Sequence, residues 1–345
     1  MTNGYAGTTV KDVVTLAGVS RSVFYEQFKD KQDCFLATFD LIAAKTVARV
    51  RAACHAPDGG DLCKRTTAAF VALTQEIDAN TNAAYLVLVE AQVAGVPGLV
   101  RLRKTMRIYE RLLADDFARS PEASPLPPPI VRGIVGGIHE TVARRLRGRC
   151  AGELPALSTE LVRWTLLFRA TPRALLAERA SLLSKHAGLA HSTPGQADLA
   201  QKSPPQLFDA LSWEILQMVA DPSLVTPEWP SAVRHVIRDL MRLLASKPLY
   251  AQTIAMTAAG AGPEMLARSS ELAYSVATLL TKGAPTKSPS EVAVEGISGA
   301  IWHTIGWQVA TDSIDLLPVL ADYLAYIVLA SFLGPAAAAA IVTKD

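Results

Sequence analysis

Between Thr9 and Phe28 the apolar residues recur at helical rather than alternating spacing, in two short runs. Val10, Val13, Val14 and Ala17 make the first run. Phe24 and Phe28, one turn apart, anchor the second, with Ser22 and Tyr25 on the opposite side. Thr9 is placed to cap the first helix, answered three residues on by Asp12, and Gly18 stands where a left-handed residue ends it. Ser20 reads as the cap of the second helix, opened by Arg21. A longer helical pattern follows from Lys31 to about Val50, with Cys34, Phe35, Ala37, Leu41 and Ile42 on or near its apolar side. Beyond the loop signal at 55–60, helices are expected over 61–78, 83–94, 97–118, 129–147 and 154–170, with a Pro-rich break at 120–129. Alternating β-branched runs are scarce, half of the residues are hydrophobic and only 6% are aromatic, so the chain is predicted to be all-α.

The pattern then repeats. Gly133-Ile134-x-Gly136-x-Ile138 matches Gly296-Ile297-x-Gly299-x-Ile301, and Leu154-Pro155-x-Leu157 matches Leu317-Pro318-x-Leu320, both at an offset of 163. Insertions fall in loops while glycine and apolar positions are kept, the mark of a duplicated helical domain. Helices at 289–309 and 316–333 are expected to answer 129–147 and 154–170.

The opening stretch resembles the tetracycline-repressor (TetR) family of regulators. The resemblance lies in Gly4-Tyr5, Gly7-Thr8-Thr9, Ala17-Gly18-Val19-Ser20, Phe24-Tyr25-x-x-Phe28 and Lys31. It implies a helix-turn-helix over 1–50, a first TetR-like regulatory domain over 51–172 and a second over 206–345. Between these, 173–205 is either a linker or a degenerate reader, since Ala187-Gly188-Leu189-Ala190 echoes Ala17-Gly18-Val19-Ser20 while Thr193-Pro194-Gly195 replaces the aromatic pair. In the family a whole helix precedes the Gly-Tyr pair, whereas three residues do here. Either the true start lies upstream of Met1 or the reader is truncated at its N-terminus, and the expectation for the sequence as it stands is a reader loosened by several kcal/mol of lost apolar burial.

That resemblance implies double-stranded operator DNA as partner, with Thr9, Ser20, Arg21, Ser22, Tyr25, Lys29 and Lys31 as contact candidates. It also implies a small apolar effector enclosed by the helical bodies. Phe70, Tyr85, Tyr109, His139 and Trp164 are candidates in the first repeat, and Tyr250, Tyr274, Trp302, His303 and Tyr326 in the second, each weighed against a plain core role. The last two helices of each body are dimer-interface candidates, through Gly133, Gly137, Leu157 and Leu161 and through Gly296, Ala300, Leu320 and Leu324. Gly133-x-x-x-Gly137 and Gly296-x-x-x-Ala300 put small residues on one helix side, which permits close approach. The two halves pair either across two chains, as a homodimer, or within one chain, as a pseudo-dimer.

Charge and chemistry narrow this further. The chain of 345 residues carries a formal charge of +2, and residues 1–50 carry +1, from six Lys and Arg against five Asp and Glu. Nonspecific attraction to DNA is then weak, and useful affinity needs two half-sites held together. Cys34, Cys54, Cys63 and Cys150 lack metal-ligand spacing and read as reduced thiols of a cytoplasmic protein. The apolar tract 323–342 is broken by Gly334-Pro335, so its helix is expected to stop near Leu333, too short to cross a membrane. His139-Glu140 begins like a zinc-protease motif, but Ala143 stands at the fifth position. No catalytic constellation or cofactor is implied. Arg144, Arg145, Arg147 and Arg149 read as a solvated helix end or, alternatively, a phosphate contact. The alternative to a regulator is a helical ligand-binding or protein-interaction module that has lost DNA binding.

Overall fold

The computed structural model describes residues 4–55, 61–148, 154–172, 202–257, 262–285 and 290–343. All regular elements among them are helices. After the single turn α1 (Gly4–Gly7), α2 (Val10–Ala17) begins in the capping box that its sequence specifies. The Asp12 N–H donates to the Thr9 hydroxyl at 3.3 Å, and the Thr9 N–H to the Asp12 carboxylate at 2.8 Å. Gly18, at φ 68°, ends α2 in the left-handed conformation that glycine adopts without a steric penalty. The Ser20 hydroxyl accepts from the Val23 N–H at 3.2 Å and opens α3 (Arg21–Gln27).

The connecting helix α4 (Lys31–Cys54) buries Phe35, Phe39, Ala43, Val47, Val50 and Cys54. Ala37 and Leu41, expected inside, are exposed. Each lies two residues, about 200° of helix rotation, beyond a buried phenylalanine. The first body continues with α5 (Leu62–Ala79), α6 (81–93), α7 (Val96–Ala118), α8 (Pro128–Arg147) and α9 (Leu154–Leu167). The expected helix 83–94 starts at Thr81 and widens into a π-turn over Leu86–Glu90. Then follow α10 (Pro204–Val219), α11 (Trp229–Ser246), α12 (Pro248–Thr257), α13 (Gly262–Thr281), α14 (Glu291–Ala310), α15 (Leu317–Leu333) and the short α16 (Pro335–Val342). Helix lengths and starts run in parallel in the two series. α5 and α11 each span 18 residues, α8 and α14 each span 20, and both α14 and α15 start 163 residues after α8 and α9.

The two bodies meet where α8 crosses α14, the most extensive helix contact among the described residues. Small residues make this possible. The carbonyl oxygen of Gly296 lies 2.5 Å from where a Cβ of Gly137 would sit, and Ala300 Cβ lies 3.5 Å from that of Gly133. These two contacts exchange under the 163-residue offset, since Gly296 stands for Gly133 and Ala300 for Gly137. The same exchange relates Ile327, against Gly133, to Trp164, against Gly296. Gly136 and Gly299, equivalents of each other, meet directly. Such reciprocity is the geometry of an isologous contact, here made inside one chain. Leu157, Leu161, Leu320 and Leu324 are all buried, so these interface candidates offer no free face to a second copy.

α15 is the apolar centre of the second body. The segment Ile314–Leu333 is long and apolar enough to cross a membrane, and it is largely buried within the fold. It ends at Leu333, with Gly334 at φ 80°, as the Gly-Pro break predicts. Its one buried acid, Asp322, faces α11, where Arg234 Nε lies at 3.1 Å and Arg238 donates through two nitrogens at 3.0 and 2.9 Å.

The arginines at the end of α8 are neither a solvated terminus nor a phosphate contact. Arg144 pairs with Glu271 at 3.2 Å and stacks over Tyr274, Arg145 pairs with Glu291 at 2.9 Å, and Arg147 pairs with Glu140 at 2.6 Å and bonds Ser270. Having the second body alongside turns a helix end into an ion-pair seam; Arg149 lies outside the described residues. Within the seam Glu295 is 1% exposed, with Arg145 at 3.5 Å and Arg144 at 3.7 Å. Burial, reinforced by Glu291, pushes its carboxyl up to about 7 against the two arginines. A folded pKa above the ordinary 4.5 means that the stabilising protonated form is complete below pH 4.5 and is lost as pH rises through 7. Relative to the parent, Glu295→Gln should therefore gain on the order of 1–3 kcal/mol between pH 4.5 and 8 in denaturant titrations. A pH-independent difference would exclude this ionisation.

Candidate DNA reader and ligand cavity

α2 and α3 form a helix-turn-helix whose inner side is closed by Val14 and Phe24, with the Phe24 ring packed at a tilt against Phe28, centroids 5.4 Å apart. Phe28 and Val13 are half-buried and Ala17 is exposed, so the inner face is narrower than its apolar pattern predicts. Leu16 is 92% exposed. Arg21, Ser22 and Tyr25 project from α3 into solvent, as does Lys29 just beyond it. Ser22 touches Glu26 at 3.5 Å, a contact weak enough to be exchanged for a base or phosphate. The hydroxyls of Thr9 and Ser20 are engaged in capping.

Lys31 is differently employed from its expected phosphate contact. Its ammonium donates to the carbonyls of Tyr5 at 2.8 Å and Thr8 at 2.9 Å and lies over the Tyr5 ring. It therefore ties α1 to α4 and positions the reader. Two further bonds lock the reader to the body. The Tyr5 N–H donates to Glu90 at 2.8 Å, and Gln32 Nε2 donates to the Ala94 carbonyl at 3.1 Å.

Residues 1–38 match the family described as bacterial regulatory proteins, tetR family. The segment is a TetR-family DNA-binding domain. The chain carrying it is a DNA-binding regulator with an all-α fold. No curated protein and no solved structure matches the chain.

Behind the TetR reader, α4 to α8 enclose an apolar cavity of about 280 Å³. That is roughly twice the ~150 Å³ cavity that holds a benzene ring, enough for a two-ring molecule. Phe70, Tyr109 and His139 line it together with Val87, Leu88 and Met106. Burial pushes the Tyr109 hydroxyl well above its usual range and His139 down to about 4, so both are neutral at pH 7. His139 Nε2 and the Thr66 hydroxyl have no hydrogen-bond partner, which leaves two polar handles among the described residues of this largely apolar chamber.

The other expected effector residues lie elsewhere. Tyr85 is half-buried and packs against the core outside the cavity lining. Trp164 packs on Gly137 and Gly296 and donates to Ser331. Tyr250 donates to Glu214 at 2.8 Å, Tyr274 lies under Arg144, and the Tyr326 hydroxyl meets Thr171 at 2.9 Å. Trp164, Tyr250 and Tyr326 each bond a polar neighbour in the fold, and Tyr274 is covered by a guanidinium, so these serve the core or the seam. Trp302 and His303 line a second, smaller cavity between the bodies. The sequence reading missed Glu90, which α6 carries only a few residues from the cavity-lining Val87 and Leu88. A lone acid inside the apolar run 86–93 was the available signal.

The degenerate-reader candidate at 187–195 lies outside the described residues, as does Cys150. Cys34, Cys54 and Cys63 are free thiols.

Proposed function

We propose that this TetR-type regulator is ligand-responsive, a repressor released from operator DNA when a small apolar effector fills the cavity behind its reader. One observation carries the reading. Helix α6 lines the cavity through Val87 and Leu88 and, at the end of its π-turn, holds the reader through Glu90 and the Tyr5 N–H. A shift of α6 on ligand binding is thereby passed to α1, and through Lys31 to α4. π-Turns within helices often mark functional sites of this kind.

We further propose that the two bodies descend from one duplicated domain and pair as an intramolecular pseudo-dimer. The reciprocal contacts at Gly133, Gly136 and Gly137 support that reading. One chain then presents one described reader, and an operator with two half-sites engages two chains.

The test is operator binding by the parent and by Arg21→Ala and Tyr25→Ala, measured by footprinting and mobility shift on DNA flanking the protein's own gene. Each substitution is expected to weaken specific binding by roughly 5- to 150-fold, since each removes a base or phosphate contact. Protection that is absent in the parent, with ligand uptake intact, would instead identify a TetR-like ligand-binding module that no longer reads DNA. The exposure of Leu16 in the reader is the observation that favours this second reading.

A further inference from the structure

A separate cavity of about 120 Å³ lies between the bodies, walled by α7 and α8 on one side and by α12, α13 and α14 on the other. It opens beside the Gly136 and Gly299 contact, where the crossing helices diverge. Several of the groups that line it lack hydrogen-bond partners. Ser298 is fully buried, and its hydroxyl makes no hydrogen bond. His303 Nε2 has none either, its nearest acid being Glu110 at 3.7 Å. Arg103 reaches only the Gly306 carbonyl, at 3.5 Å, and has no ion pair among the described residues. Buried hydroxyls and guanidinium groups are normally satisfied, so unmet donors converging on one void point to something that accepts from them.

The charge around the cavity gives the sign of that occupant. Its own carboxylate, Glu140, is already held by Arg147 at 2.6 Å and by the Ser270 hydroxyl at 2.7 Å. Behind the lining Trp307, Arg107 and Arg132 stack on its ring, and Arg132 faces Glu110 at 3.8 Å. Among the lining residues Arg103 and Arg147 thus stand against Glu140, an excess of one positive charge. Burial and the nearby Arg107 both disfavour the charged form of Arg103, the strain that an anion would relieve.

We infer that the cavity between the bodies is a binding site for a compact oxyanion, a carboxylate or phosphate, received by the Arg103 guanidinium and the Ser298 hydroxyl. A volume near 120 Å³ is below the ~150 Å³ cavity that holds a benzene ring, which suits such a compact group. The Arg103 fork can bind two oxygens of the anion at once. Bound there, the anion bridges α7 of the first body to α14 of the second. Helix α7 also reaches the reader-bearing α4, through Arg101 and Asp40 at 2.9 Å, so occupancy acts on the reader from outside the apolar chamber.

Trp302 and Trp307 line the cavity and report on it. The full chain is titrated with sodium butyrate, inorganic phosphate, neutral butyramide and sodium chloride at matched ionic strength, following tryptophan fluorescence and melting temperature. A saturable response to butyrate, phosphate or both, with none to butyramide and none to chloride, is expected; whichever anion responds names the source. Arg103→Met should weaken the response at least about 10-fold and Ser298→Ala about 5-fold. Ser298→Ala removes a single buried oxygen, so it decides the matter even if Arg103→Met fails to fold. The inference is overturned by equal responses to chloride, by no response to either anion, or by anion affinity that Ser298→Ala leaves unchanged.

Discussion

A Gly299→Val variant is expected to lose about 3 kcal/mol or more of stability, because the helix crossing leaves no room for a side chain. A Cβ at this position would lie 2.6 Å from Glu140 Cβ and 2.8 Å from Gly137 Cα, and would overlap the Gly136 carbonyl. Backbone on both sides prevents local relief, so α8 and α14 must separate and expose the seam between the bodies. Gly306 on the same helix is the internal control. No atom lies within 4 Å of its would-be Cβ, and Gly306→Ala should be neutral or stabilising by up to about 1 kcal/mol, as for an unhindered helical glycine. Urea unfolding followed by circular dichroism compares the two. If Gly299→Val melts with the parent, the bodies do not meet through these glycines.

Asp322→Ala should have an effect of comparable or larger size, about 3–5 kcal/mol. The carboxylate is 5% exposed and serves Arg234 and Arg238 together, so its removal leaves two guanidinium groups beside an apolar helix without their shared acid. Asp322→Asn, which keeps the shape and accepts one hydrogen bond, should lose less. The order alanine worse than asparagine, read from thermal or denaturant midpoints, is the check. Equal losses would mean that packing rather than charge dominates at this position.

Much of the local architecture was legible from the chain. Thr9 with Asp12, Gly18 and Ser20 each carry out a capping role determined by atoms within a few residues, so their sequence spacing is sufficient. The close helix crossing was legible for a similar reason, since small residues four apart necessarily share a face. Side chains whose partners are remote in sequence were not legible. Lys31 looks like any cation after a recognition helix until Tyr5 and Thr8 are folded against it. The aromatics of the second body look like cavity walls until Glu214, Thr171 and Arg144 are seen to occupy them.

By itself the sequence determined an all-helical chain, a TetR-type reader with Arg21, Ser22 and Tyr25 presented outward, and two helical series offset by 163 residues. These follow from periodicity, capping and composition, which act over one or two helical turns. Only the tertiary structure decided that the glycine faces meet within one chain, that the apolar chamber lies in the first body, and that Arg103 and Ser298 share a void. Those outcomes depend on how the surfaces of distant helices fit and on which charges the fit leaves unpaired, and no spacing along the chain encodes either.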